Sequence, residues 1–536
     1  MMIASYVASV GIGGRYYNHR AMKTIAALLL ALFTSSVFAD NTAPPALDAT
    51  VKRAMQTLRV PGVSIAIVKD GKLVVAKGWG VRKLGETAAV DGDTLFQIAS
   101  NSKAFTTASL AMLVEEGKIS WDDPVSKHLP SFRMYDPYAS NEVMIRDLVS
   151  HRAGLGLGAG DLMIYPPTDL PREDIVSRIR YIKPASSMRS RYAYNNLMFI
   201  AAGRVIEVVS GKSWEEFVTE RILTPLAMKN TVTSVRALRA VANAAIPHAP
   251  EGDKLIPVRY DVWENAGPAG GLSSSANDMA KWLIAQLAHG KLEGDKRLFS
   301  EEQSREMWSA QTNLRIAAPK GPLAPLAPKF SQYALGWNIR DYRGHQVLGH
   351  GGGLTGMVSR VTLIPDLNLG IVVLTNAAPS SLASAMSWQI ADYYIGGQAT
   401  DWIDLYRQND EADAKRFAEE QKKHEDARAK DSKPSLPLEK YAGRYTDAWY
   451  GDASIAMENG KLVMRFSHSP ELTGELEHWQ HNTFIARWKD RFLDADAFVN
   501  FSLNADGEVT SIAMAPISSR TDFSFDFQDL ALKRAK

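Results

Sequence analysis

Between residues 411 and 430 the chain is almost entirely charged residues and alanine, with no sustained apolar stripe. A segment of that kind cannot bury a face, so it reads as a solvated helical linker between separately packed regions. At 536 residues the chain is too long for one ordinary core, so such a division is expected. Hydrophobic residues make up 46% and charged residues 22%, which is the balance of a folded globular protein and not of a disordered one. The expected boundaries are 40–400 for the first region, 401–437 for the linker and 438–536 for the second.

After the linker, short strand-like runs recur at 455–457, 462–466, 483–488, 499–503 and 512–515. Asn459-Gly460 and Asp506-Gly507 are turn signals between them. Regularly spaced short strands with no helical period predict a small all-β domain, a barrel or a sandwich.

The first region mixes helices and strands. Leu47, Val51, Met55 and Leu58 mark one face of a helix over 46–60, which Pro61-Gly62 ends. Strand runs at 63–68 and 73–76 flank Asp70-Gly71, a strong hairpin signal. Further strands are expected at 358–364 and 369–374 around Pro365-Asp366, followed by an amphipathic helix over 382–394. Residues 210–265 read as irregular, and 319–328 as an exposed proline-rich loop.

Candidate chemistry begins at Phe96-Gln97-Ile98-Ala99-Ser100-Asn101-Ser102-Lys103. The apolar spacing after it predicts a helix over 102–116, with Gly117 as its stop. Residues i and i+3 share a helix face, so the Ser100 hydroxyl and the Lys103 amine can meet. A serine hydroxyl is a weak nucleophile without a base in reach, and a lysine can serve if its pKa is lowered by burial. Tyr194 and Asn196 flank a loop tip before a helix over 197–209, where a tyrosine can share a proton with a lysine and an asparagine can face an amide. His151 lies at a helix end beside glycines and reads as a turn residue. Ser275 with Asp278 reads as a helix cap, and Tyr260 and Trp263 as packing residues, with lining a substrate cleft as the alternative.

Ser100-x-x-Lys103, Tyr194-x-Asn196 and His350-x-Gly352 follow one another in an order that resembles the serine β-lactamase-like superfamily, in particular its class C β-lactamase and S12 peptidase branch. The stretches 146–155 and 270–274 are also similar to that family, and the resemblance covers roughly residues 46–396. The tail resembles the β-domain that follows this catalytic module in many relatives. The resemblance implies an α+β fold: an antiparallel sheet flanked by helices plus an all-helical lobe, β-lactamase/transpeptidase-like, followed by a small all-β barrel-like domain. It implies Ser100 as nucleophile, Lys103 and Tyr194 as the proton-relaying pair, and Asn196, His350 and Gly352 as substrate-binding residues. The backbone N–H groups of Ser100 and Gly353 would form the oxyanion hole.

His350 departs from the lysine that many β-lactamases and carboxypeptidases carry in the third motif. A histidine is mostly neutral at pH 7, so this site should attract a substrate carboxylate less strongly. The expected activity is therefore a peptidase acting on small, D-residue-containing or otherwise non-standard linear peptides. A short-chain esterase or weak β-lactamase is the alternative within the same chemistry, and a penicillin- or peptidoglycan-binding receptor is the non-enzymatic one.

There are no cysteines, which removes disulfides, thiolate metal sites and cysteine nucleophiles. Net charge is +2, which gives no electrostatic case for nucleic acid. No metal-ligand spacing or nucleotide-binding glycine loop is present, so no metal and no cofactor are expected. The expected partner is a small peptide, amide or ester substrate. Residues 1–39 read as a signal peptide whose true start is Met22, with an apolar stretch over 24–33 and cleavage between Ala39 and Asp40. A periplasmic or secreted protein without a stable membrane anchor is the expectation.

Overall fold

Helix α1 (Leu47–Thr57) buries Leu47, Val51 and Ala54 on the face that the apolar spacing predicts. Strand β1 (Gly62–Lys69) follows, every residue of it buried, and turns into the half-exposed β2 (Lys72–Gly80). Asp70 and Gly71 both take left-handed backbone angles, as a two-residue hairpin turn requires. The chain then runs through α2 (Ser102–Glu115), α3 (Asn196–Ser210) and α4 (Ala276–Leu287). It returns as β3 (Thr312–Asn313), β4 (Ser331–Tyr333), β5 (Asn338–Tyr342), β6 (His345–Leu354), β7 (Met357–Ile364) and β8 (Leu369–Thr375). This computed structural model describes residues 42–536 apart from 318, 319 and 398, so the expected signal peptide and the Met22 start lie outside the described residues.

The eight strands form one antiparallel sheet in the order β2-β1-β8-β7-β6-β5-β4-β3. The N-terminal hairpin thus closes onto the last strand, with Ala66 opposite Val372. That contact joins residues far apart in sequence, and it explains why β1 is buried throughout: both its faces and both its edges are covered. Helix α4 packs on β1 and β8, and α5 (Leu382–Ile395) packs on β7 and β8. Helix α2 is buried on every side from Ser102 to Leu113 and packs against α3.

Residues 210–265, expected to be irregular, contain a helix over Trp214–Val218, another over Val235–Arg239 and a hairpin between His248–Glu251 and Lys254–Pro257. The first has a capping box, Ser213 with Glu216, which was available in the sequence; five residues are too few to show a helical period. Within the expected proline-rich loop, Gly321–Leu326 is a short 3-10 turn.

Helix α6 (Trp402–Asp426) occupies the charged segment. Only Trp402 and Ile403 are buried, and Arg53 clasps Asp401 at the helix start with two 2.8 Å hydrogen bonds. Its second half lies along the C-terminal domain, where the Gln421 amide donates to the Ile517 carbonyl (3.1 Å).

The C-terminal domain is a closed barrel of eight strands: β9 (Gly443–Asp447), β10 (Gly451–Glu458), β11 (Lys461–Phe466), β12 (Thr473–Gln480), β13 (Thr483–Trp488), β14 (Ala497–Leu503), β15 (Val509–Pro516) and β16 (Leu532–Arg534). The short β16 closes it by pairing with both β9 and β15. Between β15 and β16, residues 517–531 leave the barrel wall and reach the first domain: the Gly160 and Leu162 amides donate to the buried Asp526 carboxylate at 2.5 and 3.1 Å. Among the described residues no helix is long and apolar enough to cross a membrane.

Candidate active site

Ser100 sits on a single 3-10 turn, Ala99–Asn101, that feeds directly into α2. Ala99 carries a left-handed backbone angle (φ 48°), a conformation that costs a non-glycine residue about 1–3 kcal/mol and persists only where the surroundings enforce it. Here they do. Ile98 donates its N–H to the Leu272 carbonyl (2.9 Å), and the Ser359 hydroxyl on β7 donates to the Ile98 carbonyl (2.7 Å) and accepts from the Asn101 amide (2.8 Å). The turn is therefore pinned to the sheet, and Ser100 stands at the N-terminal end of a 14-residue helix whose dipole favours negative charge there.

Lys103 is wholly buried one turn further on. Its Nζ donates to Asn196 Oδ1 and to the Ala269 carbonyl, both at 2.8 Å, and lies 3.0 Å from Ser100 Oγ. Burial lowers its pKa to about 7, against the opposing pull of Asp161. From the other side, the Tyr194 hydroxyl donates to Ser100 Oγ at 2.7 Å. Burial pushes the Tyr194 phenol well above the ordinary tyrosine value, so it is a neutral donor. Asn195 caps α3 by accepting from the Met198 N–H (3.3 Å), which places Asn196 as the first helical residue, facing Lys103. The structure thus brings Ser100, Lys103, Tyr194 and Asn196 together.

The third motif is placed differently. Ring nitrogen Nδ1 of His350 donates to the Gly351 carbonyl (2.6 Å), so Nε2 is left to accept from the Tyr333 hydroxyl (3.0 Å). Both nitrogens are engaged inside the protein, and burial beside Lys103 pushes the ring's pKa down to about 3. His350 lines the cleft as a neutral ring. Gly352 does not line it: the residue is buried, and a Cβ there would lie 2.2 Å from the Ile98 carbonyl oxygen. Its role is the close approach of β6 to the nucleophile turn, while Gly351 and Gly353 are the exposed pair on the cleft. His151 is a support behind Tyr194, its ring 4.2 Å away and its Nδ1 accepting the Asn195 N–H (3.1 Å).

The cleft in front of Ser100 holds about 890 Å³. Trp263, for which cleft lining was the alternative to packing, lines it, and so does Tyr165, whose hydroxyl is 2.9 Å from Thr355 Oγ1. One wall comes from the barrel: Arg491 and Phe492 on one loop, Arg520, Asp522 and Phe523 on the 517–531 excursion. Phe523 stands edge-on to the Tyr194 ring at 5.6 Å. Gly158 makes room for it: the glycine has φ 67°, and a Cβ there would come within 2.5 Å of the Phe523 carbonyl oxygen. Sequence reasoning left the β-domain's role open between restricting the cleft, recognising substrate and supporting a dimer, and it missed Asp161. The run Gly156-Leu157-Gly158-Ala159-Gly160 was the available signal, since repeated glycines mark a backbone approached closely by another segment.

Residues 47–395 match the beta-lactamase family. The chain belongs to that family of serine hydrolases. Residues 427–534 match a domain of unknown function (DUF3471). Among relatives of this beta-lactamase family member, the unguisins hydrolase ungD' of Aspergillus campestris is 30% identical over 441 residues, covering 77% of this chain and 78% of its own. Protein flp of Staphylococcus aureus is 26% identical over 349 residues, covering 63% of this chain and 64% of its own. The octameric penicillin-binding protein homologue from Pyrococcus abyssi shares the fold, with a TM-score of 0.57 at 21% identity over 91% of this chain and 99% of that one.

Proposed function

We propose that this family member is an exported serine peptidase that works through an acyl-enzyme on small, D-residue-containing or otherwise non-standard linear peptides. The observation that carries the reading is Ser100 Oγ held between Lys103 Nζ at 3.0 Å and the Tyr194 hydroxyl at 2.7 Å. With a pKa near 7, Lys103 has a substantial neutral fraction at neutral pH and can take the Ser100 proton as Oγ attacks the substrate carbonyl. The Tyr194 phenol is held too far above neutrality to act as a phenolate base; it is suited to return a proton to the leaving amine and be recharged from Lys103. The tetrahedral oxyanion would rest on the N–H groups of Ser100 and Gly353. Water then attacks the acyl-enzyme by the same proton path in reverse.

The peptide preference is supported by the neutral His350, which offers no cation to a free carboxylate, and by a cleft narrowed on one side by Phe492 and Phe523. Export is supported by the leader pattern that ends at Ala39. The kinship with a protein named as an unguisins hydrolase supports hydrolysis as the reaction class.

A panel of D- and L-aminoacyl anilides, short peptides, p-nitrophenyl esters and a chromogenic cephalosporin tests the reading against a Ser100→Ala variant. Amide turnover that falls at least about 10⁴-fold in the variant is the expected result. Turnover of esters alone would replace peptidase by esterase. Stoichiometric acylation of Ser100 without turnover would make the protein a receptor.

A further inference from the structure

Asp161 plays no part in the proton path just described, yet it is completely buried directly behind it. Its Oδ2 accepts from the Asn196 amide at 2.8 Å and from the Ser524 hydroxyl at 3.0 Å, while its Oδ1 has no hydrogen-bond partner. A buried carboxyl with one idle oxygen is costly, and an apolar side chain of similar size would avoid that cost. Its retention asks for a role, and the geometry points to one.

A neutral lysine amine has two N–H groups and one lone pair. At Lys103 two acceptors are fixed around Nζ, Asn196 Oδ1 and the Ala269 carbonyl. When both N–H groups are spent on them, the lone pair is left facing Ser100 Oγ. That holds only while Asn196 presents its oxygen. Turned over, the Asn196 amide would present N–H to the lysine and capture the lone pair itself. Asp161 Oδ2 prevents the turn, because it accepts from the amide NH2 and, as a carboxylate oxygen, has no hydrogen to offer the amide oxygen.

We propose that Asp161 is a positioning residue, gripped by Ser524 of the barrel's 517–531 excursion, that fixes the Asn196 amide and so aims the Lys103 lone pair at Ser100. The barrel is thereby part of the hydrolase's proton-transfer machinery as well as a wall of its cleft. This inference rests on the serine-hydrolase reading.

The test uses the full chain and the rate at which a small fluorophosphonate labels Ser100, with kcat and KM on the best substrate alongside. Asp161→Leu, which offers no acceptor, is expected to slow labelling and kcat about 100-fold or more while KM stays within about threefold. Asp161→Asn, which can place a carbonyl oxygen where Oδ2 stands, is expected to recover to within about tenfold of wild type. A leucine variant that labels as fast as wild type overturns the proposal. So do leucine and asparagine variants slowed equally, since the acceptor oxygen would then be irrelevant. Should Asp161→Leu fail to fold, Ser524→Ala and Ser524→Thr decide: the alanine is expected to slow labelling about three- to tenfold and the threonine hydroxyl to restore it, and equal rates in the two overturn the grip. Wild-type protein that is not labelled on Ser100 at all would sink the serine-hydrolase reading instead.

Discussion

The floor and the wall of the cleft are built on opposite principles. On the floor, Lys103 and Asn196 are buried, and Ser100, Lys103, Tyr194 and Asn196 are tied together by bonds of 2.7–3.0 Å, each on or beside a long helix. On the wall, Arg491, Arg520, Asp522 and Phe523 are exposed and belong to loops of a second domain. Rigid helices fix reacting atoms to fractions of an ångström, whereas loops on a closed barrel can change without disturbing it. The difference teaches where to look for each property: reaction type in the floor, substrate choice in the wall.

Four experiments would sharpen or break that division. The largest effect should come from the floor. Lys103→Met is expected to lower kcat by roughly 10³–10⁴-fold on every substrate class. In wild-type protein kcat/KM should climb with pH through about 7, because burial lowers the pKa of Lys103 to about that value and only the unprotonated amine is a base. A flat profile from about pH 5.5 to 8.5 would remove Lys103 as the base. Next comes the joint between floor and wall. Asp526→Ala strands the buried Gly160 and Leu162 amides and should cost about 1–3 kcal/mol in urea unfolding, with a smaller loss of kcat than Lys103→Met. Unchanged stability would mean that the excursion is not held by this carboxylate. The smallest effect belongs to the wall: Phe523→Ala should raise KM for aminoacyl anilides about three- to tenfold and leave p-nitrophenyl acetate untouched. Equal losses on both substrates would show that the wall acts on chemistry and not on selection.

The same division governs what was legible in the sequence. Ser100 and Lys103 lie one helical turn apart, and the hairpin at Asp70-Gly71 is a two-residue signal, so both could be read locally. The sheet and the all-β tail were legible as classes. A barrel-like domain was expected, but the strand that closes it was not read, because β16 is three residues long and gains its meaning only by pairing with β9 and β15. Gly352 looked like a substrate contact because it shares a motif with His350; burial against Ile98 is a tertiary fact that no motif encodes. Asp161 and Ser524 are 363 positions apart, and neither has a neighbour that announces the other. Linear spacing carries local geometry, and contacts of that reach escape it.

That span has a consequence for the order in which the protein is made. Ser100, Lys103, Tyr194 and Asn196 are all synthesised before any of the barrel, but the hydroxyl that grips Asp161 arrives 363 residues after Asp161 itself. A nascent polypeptide therefore carries its reactive serine and lysine long before the clamp behind them can form. Competence then waits for the segment that carries Ser524, and a product truncated before it would carry every motif of the enzyme with the clamp missing.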